Sequence, residues 1–126
     1  MSLQSHISNT PLAKQWSLIG LRHHHGIALP LGALHTHNSS GIGEYLDLIP
    51  LINFCSDVGL DVIQLLPLND SGDDPSPYNA LSSKALHPIY LSLHALPFQG
   101  KYPELADTLQ AFKPLNKTLR VEYHTV

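Results

Sequence analysis

The sequence contains one cysteine, Cys55, in 126 residues. A single thiol cannot form an internal disulfide, which excludes the cysteine-stapled scaffolds of small secreted domains and favours the cytoplasm. Positive charge is also scarce, because seven basic against ten acidic residues give a formal net charge of −3. Without a basic cluster to neutralise phosphates, a nucleic acid is not expected as a partner.

Long apolar runs are missing as well. No segment reaches the roughly 20 apolar residues that span a bilayer, and the N-terminus lacks the basic start and apolar core of a signal peptide. We therefore expect no membrane partner. Nucleophile elbows, phosphate loops and dinucleotide fingerprints are absent too, since Gly41 and Gly43 form a pair without the third glycine. No cofactor is predicted.

Nine histidines raise the question of a metal site. The segments His23–His25 and His35–His37 flank the first predicted strand. Consecutive residues in an extended chain point to alternating sides, so three in a row cannot all bind one ion. No carboxylate or cysteine stands at a recognised zinc spacing from them. We predict no metal site.

Two apolar runs, Ile27–Leu31 and Asp61–Leu68, predict strands that are covered on both faces, as in a parallel sheet. A helix is predicted between them, capped by Asp47 and ended by a left-handed Gly59. Its inward side is predicted to carry Leu48, Leu51, Ile52, Cys55 and Val58. The order strand, helix, strand predicts an α/β fold.

The remaining segments give weaker patterns. Residues 1–17 are predicted to be an irregular surface extension whose end is anchored by Trp16, and residues 35–43 a loop rich in turn formers. A helical turn is predicted over Ala80–Leu86, a strand over Ile89–Leu93 and a helix over Pro103–Phe112. The domain boundaries that follow are 1–20 for the extension and 21–126 for the body.

The acidic loop, residues 69–79, follows the second predicted strand. It contains Asp70, Asp73, Asp74, Ser76, Tyr78 and Asn79. Such residues often cap their own backbone in turns, and that alternative stays open. Position favours a binding site, because open α/β sheets and barrels place their sites at the carboxyl ends of strands. Glu44 and Asp47, near a helix start, are interpreted as capping residues rather than catalytic acids.

Five stretches in order resemble the N-terminal part of the 4-α-glucanotransferases, the amylomaltase or disproportionating-enzyme family. They are GIALPLGAL at 26–34, GIGEYLDL at 41–48, VIQLLPLND at 62–70, SPYNALS at 76–82 and ALHPIYL at 85–91. The resemblance runs from about Arg22 to Pro97. It implies that the chain is the first β-α-β portion of a (β/α)8 TIM barrel, incomplete at this length, with an open sheet edge and uncovered apolar faces.

The resemblance also implies retaining transglycosylation, in which a segment of 1,4-α-glucan moves to the 4-position of an acceptor sugar. An aspartate nucleophile, a glutamate acid/base and a second aspartate come from later strands in the family, and none of the ten acidic residues here matches them. No catalytic residue is therefore assigned. The implied substrate is maltodextrin or a glycogen-derived α-1,4-glucan, without a cofactor.

Three residues are predicted by the resemblance to bind substrate. Tyr78 matches a family tyrosine that lines the donor-sugar site, Ser76 is its neighbour, and Asp74 is separated from Ser76 by Pro75 where many relatives have the acid adjacent. Two alternatives stay open. One is a non-catalytic glucan-binding or degenerate fragment, and the other is a barrel glycosidase of the wider α-amylase group.

Overall fold

The computed structural model describes residues 3–97 and 99–126. The helices are α1 (Leu3–Ser8), α2 (Ala13–Ile19), α3 (Leu48–Asp57) and α4 (Pro103–Phe112), and the strands are β1 (Gly26–Leu29) and β2 (Val62–Leu65). Short 3-10 turns lie at Leu31–Ala33, Tyr45–Asp47, Pro88–Tyr90, Leu93–Ala95, Gln99–Lys101 and Lys113–Lys117. In the described part of the chain, no helix has the length and apolar character needed to cross a membrane.

β1 and β2 pair in parallel, with Ile27 opposite Ile63 and Leu29 opposite Leu65. α3 lies between them in sequence, so the predicted strand-helix-strand unit and the α/β class are confirmed. The Leu66 N–H donates to the Leu29 carbonyl at 3.1 Å, just beyond the last strand residues. The strands are shorter than predicted, because the chain turns at Leu31 after β1.

The prediction that both strands are covered on both faces is wrong for this chain. Each strand alternates exposed and half-buried residues, so one face of the sheet is open. In α3, Cys55 is buried as predicted, whereas Ile52 and Val58, which were predicted to face inward, are 52% and 55% exposed. The described sheet has only two strands. The expected open edge and uncovered apolar surface are therefore confirmed.

The C-terminus of α3 is closed by Gly59, whose φ of 82° lies in the left-handed region that glycine adopts without a steric penalty. The Leu60 N–H donates to the Cys55 carbonyl at 2.7 Å and the Gly59 N–H to the Ser56 carbonyl at 3.1 Å. These two bonds form a Schellman motif and satisfy carbonyls that the helix leaves unpaired. The predicted glycine cap is confirmed.

The core lies above the carboxyl ends of the strands. Its buried members are Leu31, Ile42 and Tyr90. Half-buried side chains pack around them: Leu34, Tyr45, Leu48, Leu68, Ile89, Val121, Tyr123 and Val126. The loop at 35–43, confirmed as irregular, reaches this core because Gly43 passes against the Leu31 carbonyl, where a Cβ would clash.

Three other predictions need correction. The N-terminal extension contains α1 and α2, because Pro11 separates two short helices without preventing either. Ala80–Leu86 is not helical, since Leu86 bridges to Asn69 in an antiparallel sense. Ile89–Leu93 is not a strand, because the chain forms two 3-10 turns there. The helix at Pro103–Phe112 has the bounds that the pattern predicts, and its Leu109 is buried.

Candidate functional site

A cleft of about 400 Å³ opens where the two strands end. Pro30 and Gly32 line it from the chain that leaves β1, and Leu66 lines it from the chain that leaves β2. Because parallel strands present their carboxyl ends at one edge of a sheet, the two exits meet there. The acidic loop supplies Ser76 and Tyr78 to the same cleft, so the structure brings two of the three predicted binding residues together.

Three tyrosines line the cleft: Tyr78, Tyr90 and Tyr123. Tyr78 is 69% exposed and its ring is available to a ligand, whereas Tyr90 is buried and Tyr123 half-buried. The apolar face of a pyranose ring packs on such aromatic surfaces while its hydroxyls reach polar partners such as the Ser76 hydroxyl. In the described residues no carboxylate lines this cleft. The lining therefore offers aromatic rings and a hydroxyl group and, among the described residues, no charged side chain.

Asp74 does not line the cleft and instead orders the acidic loop. Its carboxylate accepts the Ser76 N–H at 2.8 Å and the Asn79 side-chain amide at 2.7 Å. These two hydrogen bonds, that from Ser76 first, lower the pKa of Asp74 below its ordinary value because they favour the charged form. Asp74, the third predicted binding residue, thus holds the backbone of Ser76 from outside the cleft.

The other residues of the acidic loop form hydrogen bonds within the loop and with the segment that follows it. The Gly72 N–H donates to the Asp70 carboxylate at 2.9 Å, and the Ser71 hydroxyl donates to the Asp74 carbonyl at 2.7 Å. The Leu81 N–H donates to the Asp70 carbonyl at 2.7 Å. Asp70, Ser71 and Asp74 therefore cap the backbone of their own loop, as one alternative predicted, and Ser76 and Tyr78 of the same loop line the cleft.

Tyr90 and Tyr123 were not predicted as lining residues. Tyr123 lies 51 positions after Gly72 in the sequence, yet its hydroxyl donates to the Gly72 carbonyl at 2.8 Å. No local pattern marks such a distant pair. The signal in the sequence was the aromatic character of the two residues, which is equally typical of a core.

Glu44 and Asp47 form a second acidic cluster, which we call the acid pair. Asp47 is 2% exposed and its carboxylate accepts from the Ser39 hydroxyl at 2.7 Å, from the Glu44 N–H at 2.8 Å and from the Thr36 hydroxyl. The interpretation as a capping residue is confirmed for the turn Tyr45–Asp47. The predicted cap of α3 is wrong, because the Asp47 carboxylate accepts from residues that precede it and accepts no N–H from the first turn of α3.

Glu44 is 3% exposed and lines a different cavity, of about 190 Å³. The Ser40 N–H donates to its Oε1 at 3.0 Å, and His94 Nδ1 lies 3.2 Å from its Oε2. Burial is the main cause that raises the pKa of Glu44, and the charge of Asp47 adds to it, while His94 opposes it.

The histidines are dispersed. His24 Nδ1 lies 2.7 Å from the Asp61 carboxylate and its Nε2 2.9 Å from the Gly20 carbonyl, and both contacts raise the pKa of His24, the carbonyl more strongly. Trp16 lines a surface cavity with Ile7 and His24 and is 37% exposed. Across 3–97 and 99–126, no three histidine, cysteine, aspartate or glutamate side chains converge to hold a metal ion.

The family model described as 4-alpha-glucanotransferase matches residues 29–126. The chain belongs to the 4-alpha-glucanotransferase family. A 4-alpha-glucanotransferase of Chlamydia pneumoniae is similar to all 126 residues at 52% identity, and this chain covers 24% of that protein. A 4-alpha-glucanotransferase of Chlamydia caviae is 48% identical over 120 residues, which are 95% of this chain and 23% of that protein.

A plant member of the 4-alpha-glucanotransferase family is also similar. The 4-alpha-glucanotransferase DPE2 of Oryza sativa subsp. japonica is 40% identical over 76 residues, which are 56% of this chain and 8% of that protein. The chain therefore spans about a quarter of the length of the curated chlamydial relatives that it matches. With the chlamydial proteins, the similarity extends over 95% or more of the chain, so it includes the acidic loop and both strands.

Proposed function

We propose that residues 21–126 form the first part of the (β/α)8 catalytic barrel of a cytoplasmic 4-alpha-glucanotransferase, with residues 1–20 as an extension. The carrying observation is the cleft at the shared carboxyl edge of β1 and β2, lined by Ser76 and Tyr78. Barrel enzymes place their active sites at this edge. The exposed second face of the strands supports the proposal, because further barrel elements would cover it.

The substrate that we propose is an α-1,4-glucan such as maltodextrin or a glycogen-derived chain. Tyr78 would stack on a glucose ring, Ser76 would hydrogen-bond a hydroxyl, and Asp74 would hold the backbone that carries both. Retaining transfer needs one carboxylate to attack the anomeric carbon and a second carboxyl to protonate the leaving oxygen. Because the described lining contains no carboxylate, these groups would come from the remainder of the barrel.

A hybrid enzyme tests this function. The 126 residues replace the matching segment of the Chlamydia pneumoniae relative, to which they are 52% identical, and disproportionation of maltotriose is measured. We expect glucose release and longer maltooligosaccharides from the hybrid and no turnover from the 126-residue chain alone. A folded hybrid that binds glucan without turnover would favour the non-catalytic alternative. Turnover by the chain alone would overturn the assignment of the carboxylates to the remainder.

Tyr78→Ala in the hybrid tests the binding site. Loss of the stacking ring should lower kcat/KM for maltotriose by about tenfold, because an aromatic contact of this kind contributes roughly 1.5 kcal/mol. Tyr102→Ala is the matched control, since Tyr102 is 55% exposed and does not line the cleft. Full transfer activity in Tyr78→Ala would remove Tyr78 from the site.

A further inference from the structure

His87 and Tyr123 meet under the acidic loop. Tyr123 Oη lies 2.7 Å from His87 Nε2, and both atoms approach the Gly72 carbonyl, at 2.8 Å and 3.1 Å. His87 is 8% exposed, whereas Tyr123 is half-buried. Two polar side-chain atoms from distant parts of the chain therefore converge on one carbonyl of the loop that carries Ser76 and Tyr78.

The proton positions in this contact follow from a fourth hydrogen bond. The Ile89 N–H donates to His87 Nδ1 at 3.1 Å, so Nδ1 acts as the acceptor. In a neutral imidazole the proton then resides on Nε2, which donates towards Tyr123 Oη and the Gly72 carbonyl. The Tyr123 hydroxyl donates its own proton to that carbonyl. In this arrangement each of these donors and acceptors has a partner.

Backbone and hydrogen bonds together connect this contact to the cleft. Gly72 is bonded to Ser71, whose carbonyl accepts the Asp74 N–H at 3.2 Å and whose hydroxyl donates to the Asp74 carbonyl at 2.7 Å. The Asp74 carboxylate then holds the Ser76 N–H at 2.8 Å. Gly72 is thus connected to Ser76 through Ser71 and Asp74.

We propose that His87 and Tyr123 are positioning residues for the glucan site, acting through the Gly72 carbonyl to hold Ser76 and Tyr78 in the geometry that receives a sugar. This inference rests on the proposed function. It assigns His87 no contact with substrate, since His87 does not line the cleft. Tyr123 has two parts with different roles, because its ring lines the cleft and its hydroxyl anchors the loop.

Hydrogen exchange by mass spectrometry on the 126-residue chain, with and without maltoheptaose, tests the proposal. Tyr123→Phe keeps the ring and removes the hydroxyl. We expect amide exchange in the segment 71–79 to rise about fivefold, as the loss of one net hydrogen bond predicts, and the Kd for maltoheptaose to rise by a similar factor. Exchange in α3 should not change.

Tyr45→Phe is the matched control. Within the described residues the Tyr45 hydroxyl is buried without a hydrogen-bond partner, and its ring packs edge-on to Tyr90 at 6.2 Å. Its removal should leave both exchange in 71–79 and the Kd unchanged. Equal behaviour of Tyr123→Phe and Tyr45→Phe would overturn the proposal.

Two substitutions at His87 separate positioning from a local structural role. His87→Asn keeps an acceptor for the Ile89 N–H but is too short to reach the Gly72 carbonyl. His87→Gln keeps an N–H donor that can reach the Gly72 carbonyl but loses the acceptor for the Ile89 N–H. If His87 positions the loop, the Gln variant retains more loop protection and glucan affinity than the Asn variant. The opposite order would show that His87 only caps the turn Pro88–Tyr90 and would overturn the proposal.

Glucan binding and the positioning role of Tyr123 are tested by separate measurements. If the unmodified chain does not protect the segment 71–79 when maltoheptaose is added, the assignment of glucan binding to this chain fails. The exchange difference between Tyr123→Phe and Tyr45→Phe in the absence of sugar then still decides whether the hydroxyl holds the loop.

Discussion

Asp74 in the acidic loop and Glu44 in the acid pair make the same kind of hydrogen bond in opposite surroundings. Each carboxylate accepts one backbone N–H, from Ser76 at 2.8 Å and from Ser40 at 3.0 Å. Yet the pKa of Asp74 is lowered by its hydrogen bonds, whereas burial raises the pKa of Glu44. The sign of the pKa shift is therefore set by exposure to water rather than by the number of hydrogen-bond partners.

The largest effect in this comparison should come from Asp47→Ala. The substitution leaves the Ser39 and Thr36 hydroxyls and the Glu44 N–H without their buried acceptor. We expect the free energy of unfolding to fall by about 3 kcal/mol, the range for buried hydrogen bonds to a charged group. Urea denaturation measures it.

Asp73→Ala is the control for this substitution, because Asp73 is an exposed acid of the acidic loop. It should change the free energy of unfolding by less than about 0.5 kcal/mol. Similar urea midpoints for Asp47→Ala and Asp73→Ala would contradict the distinction between the two acidic regions.

A smaller effect should appear in the pH dependence of Glu44→Gln. Because the folded-state pKa of Glu44 is raised, the folded state binds more protons than the unfolded state above the ordinary value of 4.5. The stability that this group contributes is complete below pH 4.5 and is lost as pH rises through the folded-state pKa. We expect the decline to be absent in Glu44→Gln when unfolding is followed from pH 4 towards neutrality.

Glu104→Gln provides the matched control, since Glu104 is exposed in the first turn of α4. It should follow the pH profile of the unmodified chain. A Glu44→Gln profile parallel to that of the unmodified chain would show that burial does not perturb Glu44.

The smallest effect on stability, confined to the acidic loop, is expected for Asp74→Asn. Its lowered pKa means that its contribution is present above the ordinary value of 3.8 and is lost as pH falls through the folded-state pKa. At neutral pH the variant replaces an acceptor facing the Asn79 amide by a donor. Hydrogen exchange in 71–79 should rise about threefold, the change expected for a weakened exposed hydrogen bond.

Asp73→Asn is the control, and its amide exchange in the segment 71–79 should equal that of the unmodified chain. On acidification, the difference between Asp74→Asn and the unmodified chain should shrink. If it grew instead, the sign of the Asp74 shift would be reversed.

The elements that sequence predicted correctly have local causes. The β1-α3-β2 unit is predicted by two apolar runs, by the helical spacing that buries Cys55 and by the left-handed Gly59. The helix Pro103–Phe112 begins with a proline in its first turn, which suits a position that needs no backbone donor. Such signals lie within a few residues of the structure that they determine.

The wrong predictions were overridden by hydrogen bonds and turns that the hydrophobic pattern does not reveal, some distant and some local. Ala80–Leu86 has helical composition, but the Asp70 N–H donates to the Ala85 carbonyl at 3.0 Å and Ser82 Oγ accepts the Ala85 N–H at 3.0 Å. These bonds compete with helical ones. At Ile89–Leu93 the alternation suits a strand, but His87 and Pro88 start a 3-10 turn there.

In the candidate site, too, some residues could be predicted from a local segment and others could not. Tyr78 and Ser76 could be predicted because the resemblance to the glucanotransferases is carried by their own short segment. The supporting role of Asp74 could only be seen in the structure. In a sequence, a carboxylate that faces a ligand cannot be distinguished from one that faces the backbone. The His87–Tyr123 contact joins residues 36 positions apart, and no sequence period connects them.

The side chain of Asn116 has a consequence for the order in which this molecule can be assembled. It accepts the Gly41 N–H at 2.8 Å and donates to the Ser39 carbonyl at 2.6 Å, across 75 and 77 positions. During synthesis, the loop at 35–43 cannot reach its final form until residue 116 has left the ribosome. Closure over such a distance costs chain entropy before any contact repays it, so this step should be among the last and slowest in folding.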